Sequence, residues 1–147
     1  MNVAEVIRSI ESAWRDVAYP GDNKIFTPDS HDDEDIVNYF RGTTWRGHEP
    51  AKLRAHSSAF TFFTPEAFHY WLPAFMIAAI ENPEEADVIV DYIPWSISNR
   101  YASRRWPLFS QIQRQAVAAY LLFQIEKFPH GANDERKALG ILEKAIS

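Results

Sequence analysis

The fold is decided by residues 64–81, which read TPEAFHYWLPAFMIAAIE. Thr64 is a good N-cap residue, and Pro65 suits the first position of a helix. After the first turn, the only clearly polar side chain before the last residue is that of His69, so no face is available to solvent. A helix that is apolar on nearly every side has to be surrounded by other helices. The stretch therefore predicts a central helix over about 65–81.

Helical patterns recur on both sides of this stretch. The motif Ser110-Gln111-Ile112-Gln113 matches a capping box and is followed by a strongly apolar run, which predicts a second central helix over about 111–128. Residues 94–107 are the least regular part of the chain. We expect helices over about 3–17, 31–40, 50–57, 65–81, 83–93, 111–128 and 133–146. The sequence thus predicts an all-α fold, a bundle of six to seven helices in a single domain over 1–147.

Composition limits the classes of protein that fit. The chain has no cysteine, which excludes disulfides, thiolate nucleophiles and iron–sulfur clusters. The first residues lack the basic and apolar regions of a secretory signal. The most apolar window, 67–80, is shorter than a membrane span and contains Pro73. We expect a cytoplasmic protein with no membrane partner and no cofactor.

Charge is unevenly distributed along the chain. The net charge is −5, and residues 1–50 hold five basic side chains against ten acidic ones, whereas residues 51–147 hold ten of each. This balance argues against nucleic acid as a partner of the acidic region and favours a partner with a basic surface.

The most acidic segment is the run 29–35, which holds five carboxylates and His31. Three interpretations remain open. Clustered oxygens suit a hard metal ion, although the spacing does not match an EF-hand loop. The run could equally be an acidic docking surface for a basic protein. It could also be the solvated first turn of a helix whose carboxylates complement the dipole.

Other candidate residues carry weaker signals. The stretch 100–106 mixes arginines with aromatic residues, as single-strand binders do, but three arginines form a poor phosphate track. His69 could act as a general base with Glu66 three residues earlier, or could be a hydrogen-bonded core histidine. Trp45 lies in a loop bounded by glycines and is either packed on the core or an exposed interface anchor. Glycine-rich phosphate loops and a nucleophilic serine motif are absent from the sequence.

The central stretch resembles the signature of a bacterial domain family of unknown function. Its core is TPEAF-x-Y-x-LPA, here Thr64 to Ala74. The resemblance extends upstream to Trp45 and downstream to Leu108-Phe109-Ser110 with Gln113, Ala116 and Val117. It implies a bacterial origin. It brings no activity with it, so no catalytic or binding residue is carried over.

The residues favour a non-enzymatic protein-binding module, specifically an immunity- or antitoxin-type inhibitor of a basic toxin domain. Its hypothesised contacts are Asp32, Asp33, Glu34 and Asp35, with Trp45 as an apolar anchor. Two alternatives belong to other classes. One is a small metal-dependent hydrolase built on the region His31 to Asp35, and the other is a homodimeric structural or regulatory module.

Overall fold

A computed structural model describes residues 1–32, 34–99 and 102–146. The described residues form nine α-helical segments, three short 3-10 turns and no β-strand, so the predicted all-α single-domain bundle is confirmed. The helices are α1 Val3–Trp14, α2 Ile36–Phe40, α3 Pro50–Ala55, α4 Ala59–Phe62, α5 Pro65–Glu81, α6 Pro83–Ala86, α7 Val88–Ser98, α8 Gln111–Lys127 and α9 Asn133–Ile146. The 3-10 turns are Asp22–Lys24, Ala102–Arg104 and Trp106–Leu108.

Helix α5 is the centre of the bundle, as the sequence predicts. Thr64 caps it by accepting a hydrogen bond from the Ala67 N–H, and Pro65 is its first residue. Twelve of its seventeen side chains are buried. Helices α1, α3, α6 and α7 all pack against it. The helix is therefore held by its neighbours rather than by a solvated face.

The predicted capping box at the start of α8 is confirmed. Ser110 accepts a hydrogen bond from the Gln113 N–H at 3.2 Å, and Gln113 Oε1 accepts one from the Ser110 N–H at 2.9 Å. Helix α8 packs against α1 on one side and α9 on the other. Its outer face leaves Ile112 57% exposed and Leu122 47% exposed.

Two predicted helices differ from those observed. The helix expected over 31–40 begins only at Ile36, because Asp35 has a left-handed backbone (φ 56°) that an α-helix does not contain. The helix expected over 83–93 is broken at Asp87 (φ 49°, ψ −112°) into α6 and α7. Helix α7 then continues through Pro94 to Ser98, further than the irregular pattern of 94–107 indicates.

No described helix combines the length and apolar character needed to cross a membrane.

Candidate binding groove

A surface cavity of about 520 Å³ lies where four parts of the chain meet. We call it the acidic groove. Its described lining consists of three acidic residues, three serine or threonine residues and three aromatic residues: Glu34, Asp91, Asp134, Ser57, Ser58, Thr61, Phe60, Tyr92 and Trp95. Among the described residues that line it there is no lysine, arginine or histidine. A cavity of this size is typical of a ligand site, and its charge is negative.

Local folding places the groove's side chains. Asp91, Tyr92 and Trp95 follow one another along α7, so positions three and four apart share one helix face. Asp134 lies in the first turn of α9, which packs against α7 and whose dipole favours a carboxylate there. Glu34 comes from the loop before α2. Three distant segments thus contribute one carboxylate each.

Two of the aromatic rings reach solvent. Tyr92 is 39% exposed and Trp95 is 45% exposed, whereas Phe60 below them is buried. The Phe60 and Tyr92 rings meet edge to face at 6.2 Å between centroids. Exposed aromatic faces beside carboxylates are the chemistry that attracts an organic cation, through cation–π contact and charge.

The Glu34 carboxylate is held in place by the wall of the groove. Its Oε1 accepts hydrogen bonds from the Ser58 N–H at 3.0 Å and from the Ser58 hydroxyl at 2.7 Å. These contacts bind the loop before α2 to the start of α4. The carboxylate is therefore oriented before any ligand arrives, although it remains exposed.

A buried arginine joins two walls of the groove from below. Arg105 is 7% exposed and donates from Nη1 to the Ser96 carbonyl at 2.6 Å and from Nη2 to the Phe60 carbonyl at 3.1 Å. Its guanidinium lies over the Phe68 ring at 4.4 Å. Burial lowers the pKa of Arg105 to about 10, so the side chain is still protonated at neutral pH. Because Phe60 belongs to α4 and Ser96 to α7, this one side chain holds both walls together.

The carboxylates beside the groove repel one another. Burial raises the pKa of the Glu135 carboxyl, and the neighbouring carboxylates of Asp134 and Asp91 raise it further. An internal backbone contact and Arg136 act in the opposite direction. Burial and the two neighbouring carboxylates therefore both disfavour the charged form of Glu135.

The predicted acidic contacts are only partly assembled into a site. Asp32 accepts hydrogen bonds from the Ile36 and Val37 N–H groups at 2.6 and 2.9 Å, so its carboxylate caps α2. Asp35 accepts one from the Asn38 side chain at 2.8 Å. Of the four predicted acidic contacts at positions 32–35, only Glu34 is among the described residues that line the groove. Asp33 lies outside the described residues. The described residues of the run precede α2, so the prediction that they form its first turn is wrong. The expected carboxylate at the start of this helix is present in Asp32.

Trp45 is packed on the core. Its side chain is 2% exposed and Arg46 lies over its ring at 3.9 Å. The prediction of an exposed apolar anchor at Trp45 is therefore wrong. A tryptophan in a loop bounded by glycines can be buried or exposed, so the sequence does not predict which. Here the Trp45 ring is part of the hydrophobic core.

The His69 side chain is hydrogen-bonded to Gln113 rather than to Glu66. Gln113 Oε1 accepts from the Ser110 N–H, and Gln113 Nε2 donates to the Ala13 carbonyl at 3.1 Å, which fixes the orientation of the amide. The His69 Nε2, at 2.7 Å from Oε1, must therefore be the donor. This network links α1, α5 and α8.

The described residues do not support the interpretation of a metal site or that of a nucleic-acid-binding stretch. Among the described residues, no group of three or more histidine, aspartate or glutamate side chains lies close enough to hold a metal ion. Arg100 and Tyr101 of the stretch 100–106 lie outside the described residues. Within that stretch Arg105 is buried and bonded to carbonyls, so its guanidinium does not face phosphates.

Most of the groove's residues are not marked by the local sequence. Asp91, Tyr92, Trp95 and Asp134 lie in the part of the chain whose charges balance, so no local excess marks them. One signal was present: Asp91, Tyr92 and Trp95 are polar or amphipathic residues on a helix whose other side chains, two serines apart, are apolar. Their meeting with Glu34 depends on how the helices pack.

No curated protein and no solved structure matches this chain. The model of a family of unknown function, DUF6714, matches residues 2–141, which is nearly the whole sequence. The chain belongs to that family of unknown function.

Proposed function

We propose that this protein is a non-enzymatic protein-binding module whose acidic groove receives a basic surface of a partner protein. The observation that carries the proposal is the groove's lining. Glu34, Asp91 and Asp134 bring three exposed carboxylates around the exposed rings of Tyr92 and Trp95. Complementary charge steers association and selects the partner, and an exposed tryptophan is a common interface anchor.

The role that fits this chemistry is an immunity- or antitoxin-type inhibitor, cytoplasmic and bacterial in origin, that neutralises a basic toxin domain. A small rigid bundle with an oriented acidic site suits such a role, since little ordering is required on binding. The net charge of −5 supports fast association with a basic protein. The groove replaces the run 32–35 as the centre of the proposed contact, with Glu34 common to both.

The test is capture of the partner from the protein's own cells at low and at high salt. The groove variant is Asp91→Asn with Asp134→Asn, and the matched control is Glu84→Gln with Glu143→Gln, exposed carboxylates that do not line the groove. Wild type and control should retain the same basic protein, released by salt, and the groove variant should lose it. Equal retention by the groove variant would refute the proposal.

The inhibitor role has its own test. The captured partner, expressed alone, should arrest growth, and co-expression of the wild-type protein should relieve the arrest. The Asp91→Asn, Asp134→Asn variant should give markedly less relief at equal expression. A partner that is harmless when expressed alone would remove the toxin assignment and leave the binding module.

A further inference from the structure

A second cavity adjoins the acidic groove. Its volume is about 340 Å³, and we call it the Phe128 cavity. Its lining includes the carboxylates of Asp87, Asp91 and Glu135 and the rings of Phe128 and His130. Asp91 lines both cavities. The two therefore meet at one carboxylate on α7 rather than lying on separate faces.

The Phe128 cavity repeats the chemistry of the acidic groove. Phe128 is 46% exposed, nearly the same fraction as Trp95, and follows the end of α8. The acidic groove thus offers two exposed aromatic side chains beside carboxylates and the Phe128 cavity offers one. The Nζ of Lys127 lies 5.4 Å from the centre of the Phe128 ring, which shows that this ring accepts a cation. Large apolar side chains exposed at a cavity rim are more informative than the same side chains scattered on a surface.

The charges around the second cavity are not all free. Asp87 pairs with Arg54 at 3.2 Å, and His130 lies in the lining. Asp91 and Glu135 remain, and burial raises the pKa of Glu135, with smaller increases from the charges of Asp134 and Asp91. A cation placed between Asp91 and Glu135 would relieve the repulsion between their carboxylates.

We propose that the two cavities form one bipartite site for a segment of the partner that carries two arginine side chains, one in each cavity, on either side of Asp91. The inference rests on the proposed function and specifies the partner's chemistry. Arginine is favoured over lysine because its planar guanidinium stacks on aromatic faces and donates two hydrogen bonds to a carboxylate. The chain itself shows the first of these two contacts, since the Arg46 guanidinium lies 3.9 Å from the centre of the Trp45 ring.

The experiment uses fluorescent Gly/Ser peptides at low salt that carry a single arginine, two arginines at increasing separations, or lysines at the same positions. Tethering a second contact should raise affinity at one preferred separation by about tenfold or more over the single-arginine peptide. The lysine pair should bind more weakly than the arginine pair at that separation.

Variants assign each arginine to a cavity. Phe128→Ala should abolish the advantage of the second arginine and leave the single-arginine peptide unchanged. Trp95→Ala should weaken every peptide, and Leu122→Ala, an apolar side chain of similar exposure elsewhere on α8, should weaken none.

The outcomes separate the two proposals. If one-arginine and two-arginine peptides bind the wild type equally at every separation, the bipartite site is wrong and the acidic groove stands. If the lysine pair binds as tightly as the arginine pair, the preference for arginine is wrong. If no peptide binds the wild type at low salt, the proposed function fails as well.

Discussion

At the scale of single residues, Arg105 is the side chain on which the groove most depends. Replacing it with methionine preserves volume but leaves the buried carbonyls of Ser96 and Phe60 without their donor. Each unsatisfied buried group costs about 1–3 kcal/mol, so we expect the loss of both bonds in Arg105→Met to lower the free energy of unfolding by about 2–6 kcal/mol.

Urea denaturation followed by tryptophan fluorescence measures this loss. Arg8→Met, at an exposed position on α1, is the control and should change stability by less than about 0.5 kcal/mol. Equal stability of Arg105→Met and wild type would show that Arg105 does not brace the two walls.

His69 makes stability depend on pH in a defined direction. Burial lowers its pKa below the ordinary value of 6.5, and the hydrogen bond to Gln113 only partly offsets this. The unfolded chain therefore binds a proton more readily, so the stabilisation is fully present above pH 6.5 and is lost as pH falls through that value towards the lower folded pKa. Burial lowers the pKa of His48 too, which adds a loss of the same sign.

Denaturation curves for wild type and His69→Gln, measured above and below pH 6.5, isolate the contribution of His69. The variant should lose less stability on acidification than wild type does. The exposed His130→Gln variant serves as control and should follow wild type. An identical loss in His69→Gln and wild type would contradict the assignment.

At the same scale, sequence alone could identify His69 as an unusual polar residue in the central stretch, but not its partner. Gln113 is 44 positions away, and its amide is oriented by Ser110 and Ala13. Such a network depends on the relative placement of three helices, which no local pattern specifies.

At the scale of secondary-structure elements, Asp32 starts α2 although it lies outside the helix. Its two oxygens accept the first two helical N–H groups, those of Ile36 and Val37. Loss of a capping side chain costs about 1 kcal/mol, so Asp32→Ala should destabilise the protein by about that amount. Asp29→Asn, which keeps a residue tolerant of the left-handed conformation at φ 65°, should be nearly neutral in the same thermal or urea unfolding assay. A neutral Asp32→Ala would show that α2 is held by packing alone.

The bounds of the long helices are predictable from the sequence, whereas those of the short helices are not. Capping signals and apolar runs predict α1, α5 and α8 to within a few residues. Helix α2 begins at Ile36 and not near residue 31, because Asp35 has a left-handed backbone conformation. The Asp32 carboxylate accepts the Ile36 N–H and so caps the helix from outside it. Aspartate tolerates that conformation and also suits a helix's first turn, so composition does not separate the two cases.

At the scale of the whole molecule, the linear charge distribution pointed to the first third of the chain. The fold instead gathers Glu34 from that third with Asp91 and Asp134 from the balanced remainder. That the chain carries an acidic surface was predictable from net charge, whereas the location of the acidic groove depends on the packing of α4, α7 and α9.

Repulsion across this surface is measurable without a partner. The Asp91→Asn change removes one of the negative charges that raise the pKa of Glu135, so that pKa should fall. Carboxyl NMR titration of wild type and variant reports the change directly. Glu84→Gln is the control and should leave the Glu135 pKa where it is. An unaltered pKa in Asp91→Asn would mean that the two carboxylates are not coupled.

The most direct test of the central claim is to map where a basic peptide binds by amide NMR. A short arginine-containing peptide should shift the signals of residues 57–61, Asp91, Tyr92 and Asp134, together with the Trp95 indole N–H, and the shifts should vanish in high salt. Binding in the acidic groove would be contradicted if these signals did not shift while those of the exposed face of α8, around Ile112 and Leu122, shifted instead.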